Sequence, residues 1–282
     1  MSANVSVVIA VWDDYVATLP ECVASAVTQA AETIVVDNAS TAPLPALPDG
    51  VTVVRASRRL SAGAARNLGL AHVNAPIVLF LDADDTLLAG ALDVLARMLA
   101  ATPGAVAAVG KHRLWSPATG RELVVERSPR PAVYRLARRR RLFALTTLRF
   151  DCYPLVGCAA VRTEVARDAG GFGDASLAED WALRSALAFR GRVIFTREPV
   201  VRVRVRDGSL WHREHSRSEL EAMFTSFRGR RASDPRLPVW GKLVLAPIAA
   251  LHRRDARRMT ASGAFRPADE GLAGVWRPEV AR

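Results

Sequence analysis

The first part of the chain alternates short unbroken apolar runs with longer stretches whose apolar residues recur three and four positions apart, the periods of buried strands and of helices. Residues 5–11 predict a strand. Leu19, Val23, Ala26 and Val27 place a helix over about 15–29, and residues 33–36 predict a second strand that ends in Asp37. Beyond a loop marked by Pro43, Pro45 and Pro48, a short strand is expected at 51–54, a helix at 64–72, and a buried strand at 77–81 that stops at Asp82. A helix over 89–101 and a strand over 105–109, separated by Pro103 and Gly104, extend the alternation. Such an order predicts an α/β fold, a mainly parallel sheet with helices on its faces.

Over 111–153 the pattern loosens. Pro117, Pro129 and Pro131 interrupt it, residues 123–125 suit a strand, and the basic segment from Arg135 to Arg141 reads as part of an acceptor-side loop. Order returns with a strand at 157–161, a short helix from Thr163, the turn Gly170-Gly171 and a helix from about Glu179 to Arg190. Residues 192–195 and 200–205 alternate apolar with polar side chains and are expected to pair antiparallel beside the parallel core. From about Asp207 the chain is polar and basic, with helices expected over 214–228 and 239–254 and a disordered end after about Ser262.

Composition narrows the class. The 282 residues are half hydrophobic and carry a net charge of +11, enough chain to bury a core without disulfides or structural metals. Cys22, Cys152 and Cys158 form no Cys-x-x-Cys pair and read as reduced thiols in the core, which fits the cytoplasm. The run at 5–11 lacks a basic flank and is short, so a strand is expected there rather than an export signal. The run at 243–251 is broken by Pro247 and is far shorter than the roughly 18–20 residues of a membrane span. The excess charge is mostly Arg, at Arg135, Arg138 to Arg141 and from Arg228 to Arg258. An anionic partner such as nucleotide, phospholipid or nucleic acid is one reading, and a solvated helix face is the other.

Parallel sheets bind ligands beyond the carboxyl ends of their strands, so the polar residues ending apolar runs come first. Asp37-Asn38-Ala39-Ser40 ends one strand with groups that hydrogen-bond a base or ribose, or that make an Asx turn. Asp82-Ala83-Asp84-Asp85 ends another. Carboxylates this close repel unless a cation compensates them, and alternate Asp residues suit magnesium or manganese completed by water and phosphate. Helix capping by Asp85 or Thr86 accounts for one acid only. Ser61 to Gly69 is neither a dinucleotide fingerprint nor a P-loop, but its small residues allow close approach and Arg66 reaches toward a phosphate or base. Glu179-Asp180 opens a helix, as a general base beside an acceptor hydroxyl or as ordinary first-turn acids. His212 and His215 lie in a segment that folds over a site or remains a surface loop.

Taken in order, the strand at 5–11, Asp37-Asn38-Ala39-Ser40, Gly63 with Arg66-Asn67, Phe80-Leu81-Asp82-Ala83-Asp84-Asp85 and Glu179-Asp180-Trp181 closely resemble family 2 glycosyltransferases of the GT-A fold, over about residues 4–206. The resemblance implies a catalytic domain over 1–206, with a nucleotide-sugar half to about 110 and an acceptor half from 111. A basic helical extension over 207–282 would follow. It further implies an inverting transferase that takes a nucleotide-sugar donor and a small-molecule, glycan or lipid-linked acceptor. Val11, Asp37, Asn38, Arg66, Asp82, Ala83 and Asp84 would contact the donor, with Asp82 and Asp84 holding Mg or Mn. Asp180, with Glu179 beside it, would be the catalytic base; the candidate acceptor contacts are Trp181 and, from the segment beyond the resemblance, His212 and His215. The chain departs from the pattern at Ile9-Ala10-Val11-Trp12, where many relatives carry a Pro, and at Asn38, where many carry Asp. The Gln-x-x-Arg-Trp motif of processive synthases is absent after Asp180, which implies single addition.

Two rival readings stand beside this one. A basic module for membrane or nucleic acid with an inactive core would use the Arg135 to Arg141 run and the Trp240 to Arg258 segment, although the Asp cluster repels nucleic acid. A nucleotidyltransferase would share the architecture but not the Glu179-Asp180 match. The expected location is cytoplasmic, with peripheral attachment to an anionic membrane at the inner face of the plasma membrane.

Overall fold

The computed structural model describes residues 3–117, 119–124, 131–174, 177–205 and 216–261. Its first strand, β1 (Ala3–Val11), buries Val5, Val7, Val8, Ile9 and Val11 completely, as a β-branched run covered on both faces must. β2 (Ala30–Asp37) and β4 (Ile77–Asp82) pair with it in parallel on either side, and β3 (Val51–Arg55) lies beyond β2. Helices α1 (Leu19–Val27), α2 (Ala62–Ala71) and α3 (Ala91–Ala101) pack on this half. Gly69 sets the approach of α2, since a Cβ there would lie 2.3 Å from Val8 Cγ1 and 2.9 Å from Val36 Cγ2. The register places Val11 opposite Asp37 and Ala10 opposite Asp82. Two carboxylates therefore leave the sheet at one level, on either side of the end of β1.

The remaining strands are β5 (Thr86–Leu87), β6 (Ala105–Ser116), β7 (Arg121–Val124), β8 (Ala159–Arg162) and β9 (Arg192–Arg204), giving the order β3-β2-β1-β4-β8-β6-β9-β5 with β7 on β6. Only β8, β5 and β7 run antiparallel to their neighbours, so the mainly parallel sheet is present. Helices α4 (Pro131–Ala137), α5 (Arg140–Arg149), α6 (Thr163–Asp168) and α7 (Trp181–Arg190) belong to this half. α8 (Arg217–Ser233), α9 (Val239–Leu243) and α10 (Leu245–Ala261) follow.

Three local expectations are corrected. Residues 192–204 are one strand, β9, running parallel to β6, not an antiparallel pair. Pro199 has no N–H to give a ladder, and the chain absorbs it in a bulge opposite Lys111 rather than in a turn. The basic segment runs from the end of α4 through a turn at Arg138 and Arg139 into α5, whose other side Phe143, Ala144, Thr147 and Leu148 bury. Asp85 and Thr86 cap no helix. Thr86 belongs to β5, and α3 begins at Ala91 after Gly90, whose φ of 76° suits glycine.

The carboxyl-terminal helices are part of a second core. Trp181, Leu148 and Leu177 pack with Leu220, Phe224, Phe227, Leu237, Ile248 and Ala256. A capping box between Ser216 and Glu219 starts α8. The expected disordered end beyond Ser262 lies outside the described residues.

Candidate active site

The carboxyl ends of β1, β2 and β4 face the loop that leads into α7. Asp37 is buried at the end of β2, where Oδ1 accepts from Ser40 N at 2.9 Å and Oδ2 pairs with Arg55. Asn38 is held to Leu60 in both directions, donating from Nδ2 at 3.0 Å and accepting at Oδ1 at 2.8 Å, while its own N–H donates to Val11 O. Ala39 follows with φ of 54°, and Ala178, just before Glu179, has 48°. These are the non-glycine residues with positive φ among the described residues, and both flank the candidate loops. Such strain persists only where the surroundings fix it. At the rim, the Arg59 guanidinium lies 3.4 Å over the Trp12 ring.

Arg66 joins the motifs. Its Nη2 donates to Asp82 Oδ1 at 2.7 Å and its Nη1 to Glu179 Oε1 at 2.5 Å, with the guanidinium almost fully buried. Burial alone would loosen its proton, but Asp82 and Glu179 outweigh that and hold it more tightly than usual. Both Nη groups thus serve carboxylates and join the Asp82 strand end to the loop before α7. Two contacts allow the approach. A Cβ on Gly63 would lie 2.1 Å from Gly173 O, and Asn67 clasps Phe172 through donation to its carbonyl at 3.1 Å and acceptance from its N–H at 2.8 Å.

The acids differ in environment. Asp82 is 44% exposed in its side chain, and Asp84 is half-buried. Asp85 turns inward, accepting from Arg204 N at 3.0 Å; burial first, then the charges of Asp82 and Asp84, push its carboxyl well up. Burial raises Glu179 as well, against the pull of Arg66. Among the described residues no group of three or more His, Cys, Asp or Glu is placed to hold a metal. Asp82 and Asp84 offer carboxylate oxygens, the donors that a hard divalent cation takes when phosphate oxygens and water complete its shell.

Asp180 stands at the N-cap of α7, but its side chain makes no cap hydrogen bond. Instead Oδ1 accepts from Arg184 Nη2 at 2.5 Å, one turn on, and Arg184 also pairs with Asp151 and donates to Tyr153 O. Asp180 thus makes no capping bond and is held instead by the four-residue ion pair with Arg184. Arg184 and Asp151 escaped the sequence reading. The four-residue spacing from Asp180 was the available signal for Arg184, and none marked Asp151. Trp181 is corrected: its ring is buried, stacked on Phe227 at 4.1 Å, with Nε1 donating to Thr147 O, so it turns from the cleft to the second core. His212 and His215 lie outside the described residues. The three thiols are buried and unpaired, and burial pushes each up, as core cysteines require.

Residues 6–168, more than half of the chain, match the profile of Glycosyl transferase family 2. The chain belongs to this family. Among solved structures, S. aureus TarS 1-349 in complex with UDP-GlcNAc aligns with a TM-score of 0.60 and 16% identity, over 94% of this chain and 75% of that one. The mannosyltransferase PcManGT from Pyrobaculum calidifontis, in complex with GDP-Man and Mn2+, aligns with 0.59 and 21% identity, over 93% of this chain and 74% of that one. No curated protein matches by sequence. The likeness is one of fold, the GT-A fold expected from the motifs, and it takes in segments beyond the family match.

Proposed function

We propose that this family 2 glycosyltransferase moves one sugar from a nucleotide-sugar donor to an acceptor hydroxyl, by a single displacement that inverts the anomeric carbon. The observation that carries the reading is the Arg66 bridge, which brings the Asp-x-Asp strand end and the acids before α7 to one guanidinium. UDP-GlcNAc in TarS and GDP-Man in PcManGT support a nucleotide-sugar donor.

On this reading Val11, Asp37 and Asn38 line the base and ribose, and Asp82, Ala83 and Asp84 face the diphosphate. Asp82 and Asp84 would hold Mg or Mn, which supplies positive charge for the leaving diphosphate. Asp180, oriented by Arg184, takes the proton of the acceptor hydroxyl as its oxygen bonds to the anomeric carbon. The bond to the diphosphate oxygen breaks on the opposite face, and its electron pair leaves with the nucleotide. Glu179 and Arg66 position these acids and touch neither reactant.

Calorimetric titration with UDP-, GDP- and dTDP-sugars, with and without manganese, tests the reading when repeated on Asp84→Ala. Metal-dependent binding of one donor, lost in the variant, is expected. No binding by folded protein across the panel would overturn it.

A further inference from the structure

We propose that the outer face of α9 and α10, together with the start of α5, is a docking surface for an anionic lipid bilayer. Of the six large hydrophobic residues exposed among the described residues, four lie here: Val239 at 74%, Leu243 at 71%, Trp240 at 43% and Leu251 at 42%. Leu142, at the start of α5, is a fifth. Leu245, Ile248, His252 and Ala256 are the buried side of the same stretch, so both sides are apolar in its first turns, which a helix facing only water does not favour.

The charges are one-sided. Lys242, Arg253, Arg254 and Arg257 are exposed, whereas the one acid of this stretch, Asp255, is buried against Arg149 at 2.6 Å. Among the described residues, the exposed charges of α9 and α10 are thus cationic. Arg139, Arg140 and Arg141 add to them from α5, which contains no acid. Arg140 donates to Phe189 O at 3.0 Å, and the Phe189 ring lies 5.8 Å from that of Trp240, so the α5 arginines sit beside the tryptophan. An apolar stripe with an interfacial Trp and a cationic rim is complementary to acyl chains below a layer of anionic headgroups. A second copy of the chain would set arginines against arginines. A nucleic acid would satisfy the arginines but leave Val239 and Leu243 against phosphate.

Flotation with phosphatidylcholine vesicles, with and without phosphatidylglycerol, tests the proposal on the full chain and does not use its activity. The protein should float with the anionic vesicles only, and less so as ionic strength rises to about 0.5 M. Leu243→Glu should weaken partition by about tenfold or more, and Arg253→Ala or Arg254→Ala by about fivefold each, from the attraction of one basic residue to such a surface. Thermal melts of all three should match the parent, because the side chains are exposed. Recovery of folded protein in the soluble fraction alone would overturn the proposal, as would variants that float like the parent. Self-association or DNA binding lost in Leu243→Glu, without flotation, would assign the face to a second copy or to nucleic acid instead.

Discussion

Arg66 Nη1 lies 2.5 Å from Glu179 Oε1 while Nη2 lies 2.7 Å from Asp82 Oδ1, so one side chain from α2 spans two acids far apart in sequence. A planar fork does this and a lysine point charge does not. Arg66→Lys should remain folded but fall in kcat/KM by about a hundredfold, the scale of a misplaced catalytic group. Arg66→Ala leaves the half-buried Glu179 without its guanidinium partner and should lose stability, by less than the roughly 3–5 kcal/mol of a fully buried pair. Urea unfolding beside a transfer assay checks both; a fully active Arg66→Lys would show that the bridge does not position the site.

The strand ends were legible and the bridge was not. Asp37 and Asp82 stop apolar runs, so pattern alone puts them at the carboxyl ends of strands, and the register sets the two at one level. Arg66 was visible as a basic residue, yet its partners are set by tertiary approach at Gly63 and Asn67, which no local pattern encodes. Charge hid α5, because Arg139, Arg140 and Arg141 mask the start of a helix whose buried side is apolar. Residues 192–195 and 200–205 alternate as two strands would, but Pro199 between them sits in a bulge of one strand. Trp181 was assigned to the acceptor because the motif stands beside it, while its actual neighbours come from α8 and α10.

Asp180→Asn keeps the size of the side chain and an acceptor for Arg184 but cannot take a proton. Transfer should drop by about 10²–10⁴, the usual contribution of a general base, while donor affinity in the calorimeter stays at the parent value. Parallel loss of donor binding would remove the base assignment.

Gly63→Ala introduces a methyl 2.1 Å from the Gly173 carbonyl oxygen, backbone that cannot swing aside as a side chain does. Overpacking of this kind should cost about 1–3 kcal/mol and push α2 from the Phe172 loop. Denaturant midpoints measure the cost. An unchanged midpoint would mean that the loop shifts freely.

Trp181→Ala separates structure from acceptor recognition. The ring is buried against Phe227 and Phe224, so its loss should destabilise by about 3–5 kcal/mol. Trp181→Phe should recover much of that, and acceptor KM in this variant should match the parent. A selective rise in KM at unchanged stability would return Trp181 to the cleft.

His252 makes the second core sensitive to acid. Its ring is fully buried, stacked on Phe224 at 4.3 Å and edge-on to Trp181, with Arg228 and Arg149 as nearby cations and Asp255 engaged by Arg149. Burial, then the charge of Arg149 and of Arg228, lowers its pKa from 6.5 to about 3. Between those values the unfolded chain binds a proton that the folded one refuses, so stability falls as pH drops through 6.5 toward 3. His112, lowered by burial and Lys111 to about 4, acts in the same direction over the upper part of that window. Asp151 opposes them: burial raises it to about 7 despite Arg184, so the folded state holds its proton and gains as pH falls from 7 toward 3.8. His252→Phe leaves His112 and Asp151 in place and removes one proton-linked term. Urea unfolding at pH 7 and at about 4.5 should therefore show the parent losing about 2 kcal/mol more than the variant. An equal loss in both would mean that His252 gains its proton without disturbing the aromatic stack.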